Sequence, residues 1–240
     1  MYPYITVFGR LLPTYGLFLA AGLIVTYLCA RIRAVREGRS AEDLLIVGAV
    51  AFGCALLGAK LLYILVTFTP AQLLQLVKEG KIGELLSVGF VFYGGLIGGI
   101  FGAFLGARIA GVRLQRFERD IFPVLPVGYA FGRVGCWFSG CCYGKLWGSV
   151  RFPVQLLDAG ISILVSLFLI FYARKERKPW SIAGMYLAIY GVQRFLLEFL
   201  RADEIRRHFG PLSTSQWISV LLLLTCGVIL WVTKNRKMET

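Results

Sequence analysis

Charged residues are scarce in this 240-residue chain, at 16% of the sequence, and acids are scarcer still, with 13 Asp and Glu against 26 Lys and Arg. Set beside 58% hydrophobic residues and a mean hydropathy of +0.72, that shortage rules out a soluble globular domain of ordinary balance. No stretch is polar and long enough to form a separate soluble domain, so residues 1–240 read as one transmembrane domain. Alternating segments of about ten residues are missing too, which excludes an outer-membrane barrel. What is present is a series of continuous apolar runs rich in Leu, Ile and Gly. Each is about 20 residues, enough helix to cross about 30 Å of hydrocarbon. The expected fold is all-α, a polytopic membrane protein of seven transmembrane helices.

The spans are expected at about 15–30, 44–68, 90–110, 121–140, 154–173, 181–200 and 216–233. An odd number puts the termini on opposite sides. The segments after spans one, three, five and seven hold fifteen of the 26 basic residues, in Arg31–Arg39, Arg108–Arg119, Arg174–Lys178 and Lys234–Lys237. Eight lie on the other side: Arg10, Lys78, Lys81, Lys145, Arg151, Arg201, Arg206 and Arg207. The positive-inside bias then predicts a cytoplasmic C-terminus and an outer N-terminus. The net charge of +13 is thereby assigned to loops facing the cytoplasm, and no nucleic-acid partner is expected. The first span reads as a retained helix, because neither a preceding basic segment nor a small-residue cleavage site accompanies it.

Lys60, Arg133 and Arg194 remain, inside the spans, with Asp158 and Glu198. Ionisable groups in hydrocarbon are costly unless they face a polar cavity or one another, so they read as a functional site. The three bases lie about 13–17 residues along spans rising from the cytoplasm, roughly 20–25 Å of helix. That puts them in the outer leaflet, where Tyr15, Tyr93, Gln155 and Asp158 open the descending spans. A buried structural ion pair is the competing reading. It accounts for Arg194 with Glu198 but leaves Arg133 without a partner.

Tyr190, Arg194, Glu198 and Arg201 follow at i, i+4, i+8 and i+11 and form a polar seam on one helix face. Glu198 can fix Arg194 or Arg201, leaving guanidinium donors for an anion, and a planar fork suits phosphate. An anionic lipid headgroup is the expected ligand, with a small anion such as chloride as its rival. Glycines recur at Gly94, Gly98, Gly102 and Gly106, a stripe that favours close helix packing. The Gly94-Gly95 pair at the outer mouth also allows a lipid backbone to approach the main chain. Gly128, Gly132, Cys136 and Gly140 repeat the stripe in the fourth span.

Taken in order, Tyr15-Gly16-Leu17, Tyr93-Gly94-Gly95-Leu96-Ile97-Gly98, Asp120 with Pro123 and Pro126, Gly132-Arg133-Val134-Gly135, Arg151-Phe152-Pro153-Val154-Gln155-Leu156, Tyr190-Gly191 with Arg194, Glu198-Phe199, Arg201 and Ser215-Gln216 resemble the prolipoprotein diacylglyceryl transferase family over about 12–231. The resemblance implies a seven-helix enzyme of the bacterial inner membrane, with its active site toward the outer leaflet. Such an enzyme moves the diacylglyceryl group of phosphatidylglycerol onto the lipobox cysteine of a prolipoprotein signal peptide, making a thioether and releasing glycerol phosphate. It further implies that Arg133, Arg194, Tyr15 and Tyr93 are catalytic, and that Lys60, Gly94, Gly95, Gln155, Glu198 and Arg201 bind substrate. No cofactor or metal is expected. The chain departs from the family at Tyr93 and Phe152, where the family has histidines, at Lys60, where arginine is usual, and at Cys136 and Cys141. A phenol of pKa near 10 is a weak base at neutral pH. These departures keep two other readings open: transfer to a different acceptor, or a non-enzymatic phospholipid-binding protein.

Cys136, Cys141 and Cys142 fall within seven residues at the outer end of the fourth span, where its cysteine-rich segment is similar to that of a divergent branch of the family. An oxidising compartment permits a disulfide from Cys136 to either later cysteine. A zinc site wants a fourth ligand, and the only histidine, His208, is on another loop.

Overall fold

A computed structural model of the chain describes residues 2–7, 9–80, 83, 89–176, 178–202 and 208–235. The chain is mainly helical: α1 Thr14–Arg36, α2 Ala41–Thr67, α3 Pro70–Lys78, α4 Phe92–Ile109, α5 Glu118–Ile121, α6 Leu125–Ser139, α7 Val154–Tyr172, α8 Ser181–Glu198 and α9 Thr214–Asn235, with a 3-10 turn at Leu114–Phe117. A helix occupies each of the seven apolar intervals. Among the described residues, three of them, α1, α2 and α7, are long and apolar enough to cross a membrane, and a fourth span is obtained if α4 and the segment Leu114–Ile121, bent by 109°, count as one. Of the basic residues sorted by side, Lys81, Arg177, Arg206, Arg207, Arg236 and Lys237 lie outside the described residues.

Two expectations need correction. The fourth apolar run is not continuous helix from residue 121: turns occupy 122–124 and α6 runs for 15 residues from Leu125. Pro123 and Pro126 lack the N–H that a continuous helix would need there. The Ser166 hydroxyl donates to the Pro123 carbonyl at 2.7 Å, which partners a backbone group that hydrocarbon would otherwise leave unsatisfied. The chain is also not purely helical. Among the described residues, three two-stranded antiparallel ribbons occur at β1 Tyr4–Val7 with β2 Arg10–Pro13, β3 Leu146–Trp147 with β4 Val150–Arg151, and β5 His208–Phe209 with β6 Leu212–Ser213. They lie before or between the apolar runs, and strands of two to four residues are too short to leave a periodic signal in the sequence.

The contacts divide the chain into two compact units, Ala34–Phe117 and a second formed by Met1–Arg33 with Glu118–Thr240. In the Ala34–Phe117 unit, α2 and α4 pack glycine to backbone. A Cβ at Gly94 would overlap the Gly58 carbonyl and stand 2.6 Å from Leu62 Cβ; one at Gly102 would stand 2.6 Å from Cys54 Cβ; one at Gly106 would stand 2.9 Å from Val47 Cα. Gly94→Ala is therefore expected to cost about 1–3 kcal/mol by forcing the helices apart. Gly53→Ala in α2, where the added Cβ meets nothing within 4 Å, should be neutral, and thermal unfolding of the two variants checks the contrast.

In the other unit, α1 packs on α6 through Gly22, Gly128 and Gly135. A Cβ at Gly22 would lie 3.1 Å from the Gly128 carbonyl, and one at Gly135 would lie 3.0 Å from Phe18 Cβ. Gly132 meets nothing within 4 Å, so the expected four-residue stripe is replaced by a seven-residue spacing, Gly128 to Gly135. Val165, Leu169, Ala173 and Ile182 form a buried cluster between α7 and α8. Nearby, the buried Glu118 carboxylate accepts from the backbone N–H groups of Trp180, Ile182 and Ala183 at 2.5, 2.7 and 3.1 Å, which partners donors that the first turn of α8 leaves open. Two arginines expected as loop charges also cap backbone. Arg119 Nη2 donates to the Ala173 carbonyl at 2.7 Å, and Arg33 donates to the Arg119 carbonyl at 2.8 Å.

Candidate active site

Arg133 stands on α6 one turn after Tyr129, and this spacing lets the phenol oxygen accept from Arg133 Nε at 2.8 Å and Nη2 at 2.6 Å. The same hydroxyl donates to Asp158 Oδ2 on α7 at 3.0 Å, and Arg133 Nε lies 2.7 Å from that oxygen. Asp158 Oδ1 accepts from Gln193 Nε2 on α8 at 2.7 Å, while Ser162 bonds both the Asp158 carbonyl, at 2.7 Å, and Gln193, at 3.1 Å. Arg133 is thus paired, contrary to the sequence expectation, and three helices hold its rotamer. The side chains of Arg133 and Asp158 are 13% and 6% exposed, so the pair is largely dry.

Arg194 is built the same way from α8 and the start of α9. Its Nη2 lies 3.1 Å from Glu198 Oε2 and donates to Ser215 Oγ at 3.1 Å. Glu198 Oε1 accepts from the Ser213 hydroxyl at 2.7 Å, and Ser213 and Gln216 cap α9 reciprocally, at 3.0 and 3.3 Å. Arg194 Nη1 is buried without a hydrogen-bond partner among the described residues. Buried polar groups nearly always have a partner, so this guanidinium nitrogen is a donor still available to an acceptor from outside the described residues. The two arginines are linked through aromatic rings: Tyr190, one turn before Arg194, sits edge-on to Tyr129 with centroids 5.6 Å apart.

The expected seam is shorter than the sequence implied. Tyr190, Arg194 and Glu198 share α8, but the helix ends there, and Arg201 pairs with Gly144 in an isolated β-bridge. Gln155 is buried at the start of α7 and donates to the Cys141 carbonyl at 2.8 Å. Tyr15 opens α1 at 42% exposure and packs against Gly135. Cys136, Cys141 and Cys142 are free thiols, with no disulfide, and their sulfurs lie within 4.8 Å of one another. Hydrogen bonding with Cys136 and the charges of Arg201 and Arg133 hold the Cys142 thiol below the ordinary thiol range, against the opposing effect of burial.

Lys60, Tyr93, Gly94 and Gly95, which the sequence also offered as site residues, belong to the Ala34–Phe117 unit and are described within it. Lys60 Nζ donates to the Gly89 carbonyl at 3.4 Å and lies 5.2 Å from the ring centres of Tyr63 and Phe90. Tyr93 is 45% exposed in the first turn of α4. At the glycine pair, Gly94 is buried against the backbone of α2, whereas Gly95 is half-buried and a Cβ there would meet Ala59 Cβ at 3.4 Å, an ordinary contact. Sequence reasoning missed Tyr129, Gln193, Ser162 and Ser213. Their one visible signal is the spacing of polar groups around the arginines, Tyr129 at i−4 from Arg133 and the series Asp158, Ser162 and Ser166 at four-residue steps.

The profile of the family described as prolipoprotein diacylglyceryl transferase matches residues 4–233. The chain belongs to this family. It is 30% identical over 246 residues to the phosphatidylglycerol–prolipoprotein diacylglyceryl transferase of Clostridium tetani, covering 96% of both chains. It is 31% identical to the Bordetella avium protein of that name, covering 93% of this chain and 90% of the other. Transferase 2 of Clostridium perfringens is 29% identical, with coverage of 94% and 92%. Both compact units of this family member lie almost wholly within the match, and so do Arg133 and Arg194 with all their partners.

Proposed function

We propose that the protein transfers the diacylglyceryl group of phosphatidylglycerol to the cysteine thiol of a prolipoprotein signal peptide. It acts as one seven-span domain in the bacterial inner membrane, with its N-terminus outside, its C-terminus cytoplasmic and its site toward the outer leaflet. Arg133 and Arg194 hold the phosphate. Glu198 orients Arg194, Lys60 and Arg201 add positive charge, Gln155 steadies the adjoining loop, Tyr15 orders the headgroup, and Tyr93 assists the reaction of the thiol. The thiol gives up its proton to water, its sulfur bonds to the glyceryl carbon, and the carbon–oxygen bond breaks with its electron pair going to the phosphate, which leaves as glycerol phosphate. The growing negative charge on that leaving group is what two preset guanidinium groups stabilise.

The observation that carries this reading is the buried, unpartnered Nη1 of Arg194, on a guanidinium already fixed by Glu198 and Ser215. The test is incubation of purified protein with phosphatidylglycerol and a lipobox peptide. Glycerol phosphate appearing in step with a thioether-linked peptide supports the proposal. Glycerol phosphate with unmodified peptide points to another acceptor, and bound, unconsumed lipid points to a binding protein.

Tyr129 acts as a positioning residue. Tyr129→Phe removes the hydroxyl between Arg133 and Asp158 and is expected to lower kcat about 10–100-fold, the scale of lost supporting hydrogen bonds, while KM stays nearly unchanged. A loss confined to KM, or no loss at all, would remove Tyr129 from this role.

A further inference from the structure

We propose that Cys136, Cys141 and Cys142 hold one Zn2+ through three thiolates, and that its fourth position takes the acceptor thiol. The loop that brings them together is built for convergence. Gly140 ends α6 in the left-handed region at φ 74°, Cys142 follows at φ 59°, and the chain doubles back over the last helical turn, which carries Cys136. A non-glycine residue in that region costs about 1 kcal/mol, so the fold holds Cys142 there against local preference. The Cys141 amide donates to the Cys136 carbonyl at 3.1 Å, and Gln155 binds the Cys141 carbonyl, so the loop is tied at both sides.

The mutual sulfur distances, all within 4.8 Å, suit a common metal, because a tetrahedral ion at about 2.3 Å from each sulfur sets its ligands about 3.8 Å apart. A disulfide would use two of the three and strand the third. The cluster is all sulfur, with no carboxylate or histidine joining it among the described residues, which selects a thiophilic cation over Mg2+ or Ca2+. Three protein ligands with a fourth position open is the arrangement of a zinc site that does chemistry, whereas structural sites close with four. The trithiolate complex carries one negative charge. Arg133 lies three residues before Cys136 on α6, and the Arg201 backbone bridges Gly144, two residues after Cys142.

This inference rests on the thiol-acceptor reading and supplies what Tyr93 and Phe152 leave missing, a means of ionising the thiol without a histidine. An acceptor R–SH binds zinc as R–S⁻ and releases its proton to water, since a coordinated thiol is deprotonated. Its sulfur attacks the glyceryl carbon, the carbon–oxygen bond breaks toward phosphate, the neutral thioether leaves the metal, and zinc is not consumed.

Metal content of the full-length protein, purified without chelator, is the first test. About one zinc per chain is expected, falling below about a fifth in Cys141→Ser and in Cys142→Ser, because loss of a ligand weakens binding more than about a hundredfold. Cys29→Ala should retain the metal. The second test replaces zinc with Co2+: sulfur-to-cobalt charge-transfer absorption should appear, and a lipobox peptide should alter the cobalt ligand-field bands, while its Cys→Ser form should not. Absence of zinc, a disulfide within the cluster, copper in place of zinc, zinc unchanged in the Cys141→Ser and Cys142→Ser proteins, or a cobalt spectrum indifferent to the thiol peptide overturns the proposal. These readouts need no phosphatidylglycerol turnover, so they fail or succeed separately from the transfer reaction.

Discussion

Arg133→Lys is expected to lower glycerol phosphate release at least about a hundredfold, or about 2.7 kcal/mol of transition-state stabilisation. Lysine keeps the charge, so the loss isolates the fork. Arg133 uses Nε and Nη2 on Tyr129 and Asp158, and its third nitrogen, Nη1, has no hydrogen bond among the described residues. An ammonium on a flexible stem cannot span the same internal partners while presenting a fixed donor to phosphate. Arg133→Ala is a poorer probe by itself, because it leaves the 6%-exposed Asp158 carboxylate without its cation and should cost about 3–5 kcal/mol of stability. The double variant Arg133→Ala with Asp158→Asn removes both charges and should recover most of that stability with no recovery of turnover. Wild-type rates in folded Arg133→Lys would take the arginine out of the chemistry.

The helices were legible because each apolar run is long, and the positions of Arg133 and Arg194 were legible because a base in an apolar run stands out. Their partners were less so. Arg194 with Glu198 follows from i, i+4 spacing, since one helix settles it. Arg133 depends on Asp158 from another helix and on Tyr129, a phenol that a search for opposite charge passes over. The break before α6 was present in Pro123 and Pro126, but hydropathy alone reads across it. At Gly94 the pattern admits close approach without saying by what, and on the side a Cβ would take the neighbour is α2. Likewise, counting Arg33 and Arg119 as loop charges left no room for their capping of carbonyls, which depends on tertiary contacts.

Arg194→Gln and Glu198→Gln should each destabilise the protein, whereas the double variant should be more stable than the sum of the two by about 1–3 kcal/mol, as groups in direct contact usually couple. Thermal unfolding of the four proteins measures this term. Turnover should follow a different course. Glu198→Gln retains Arg194 and the Ser213 hydrogen bond, so it should lose activity only in part, about tenfold, as the guanidinium gains freedom. Arg194→Gln should lose at least about a hundredfold, and the double variant should be as inactive as the single one although its stability returns, because removing one preset donor to a developing anion costs on that scale. If Arg194 and Glu198 formed only a structural ion pair, activity would recover with stability in the double variant. The buried Nη1 predicts otherwise, since it is a donor that the pairing with Glu198 and Ser215 leaves open for phosphate.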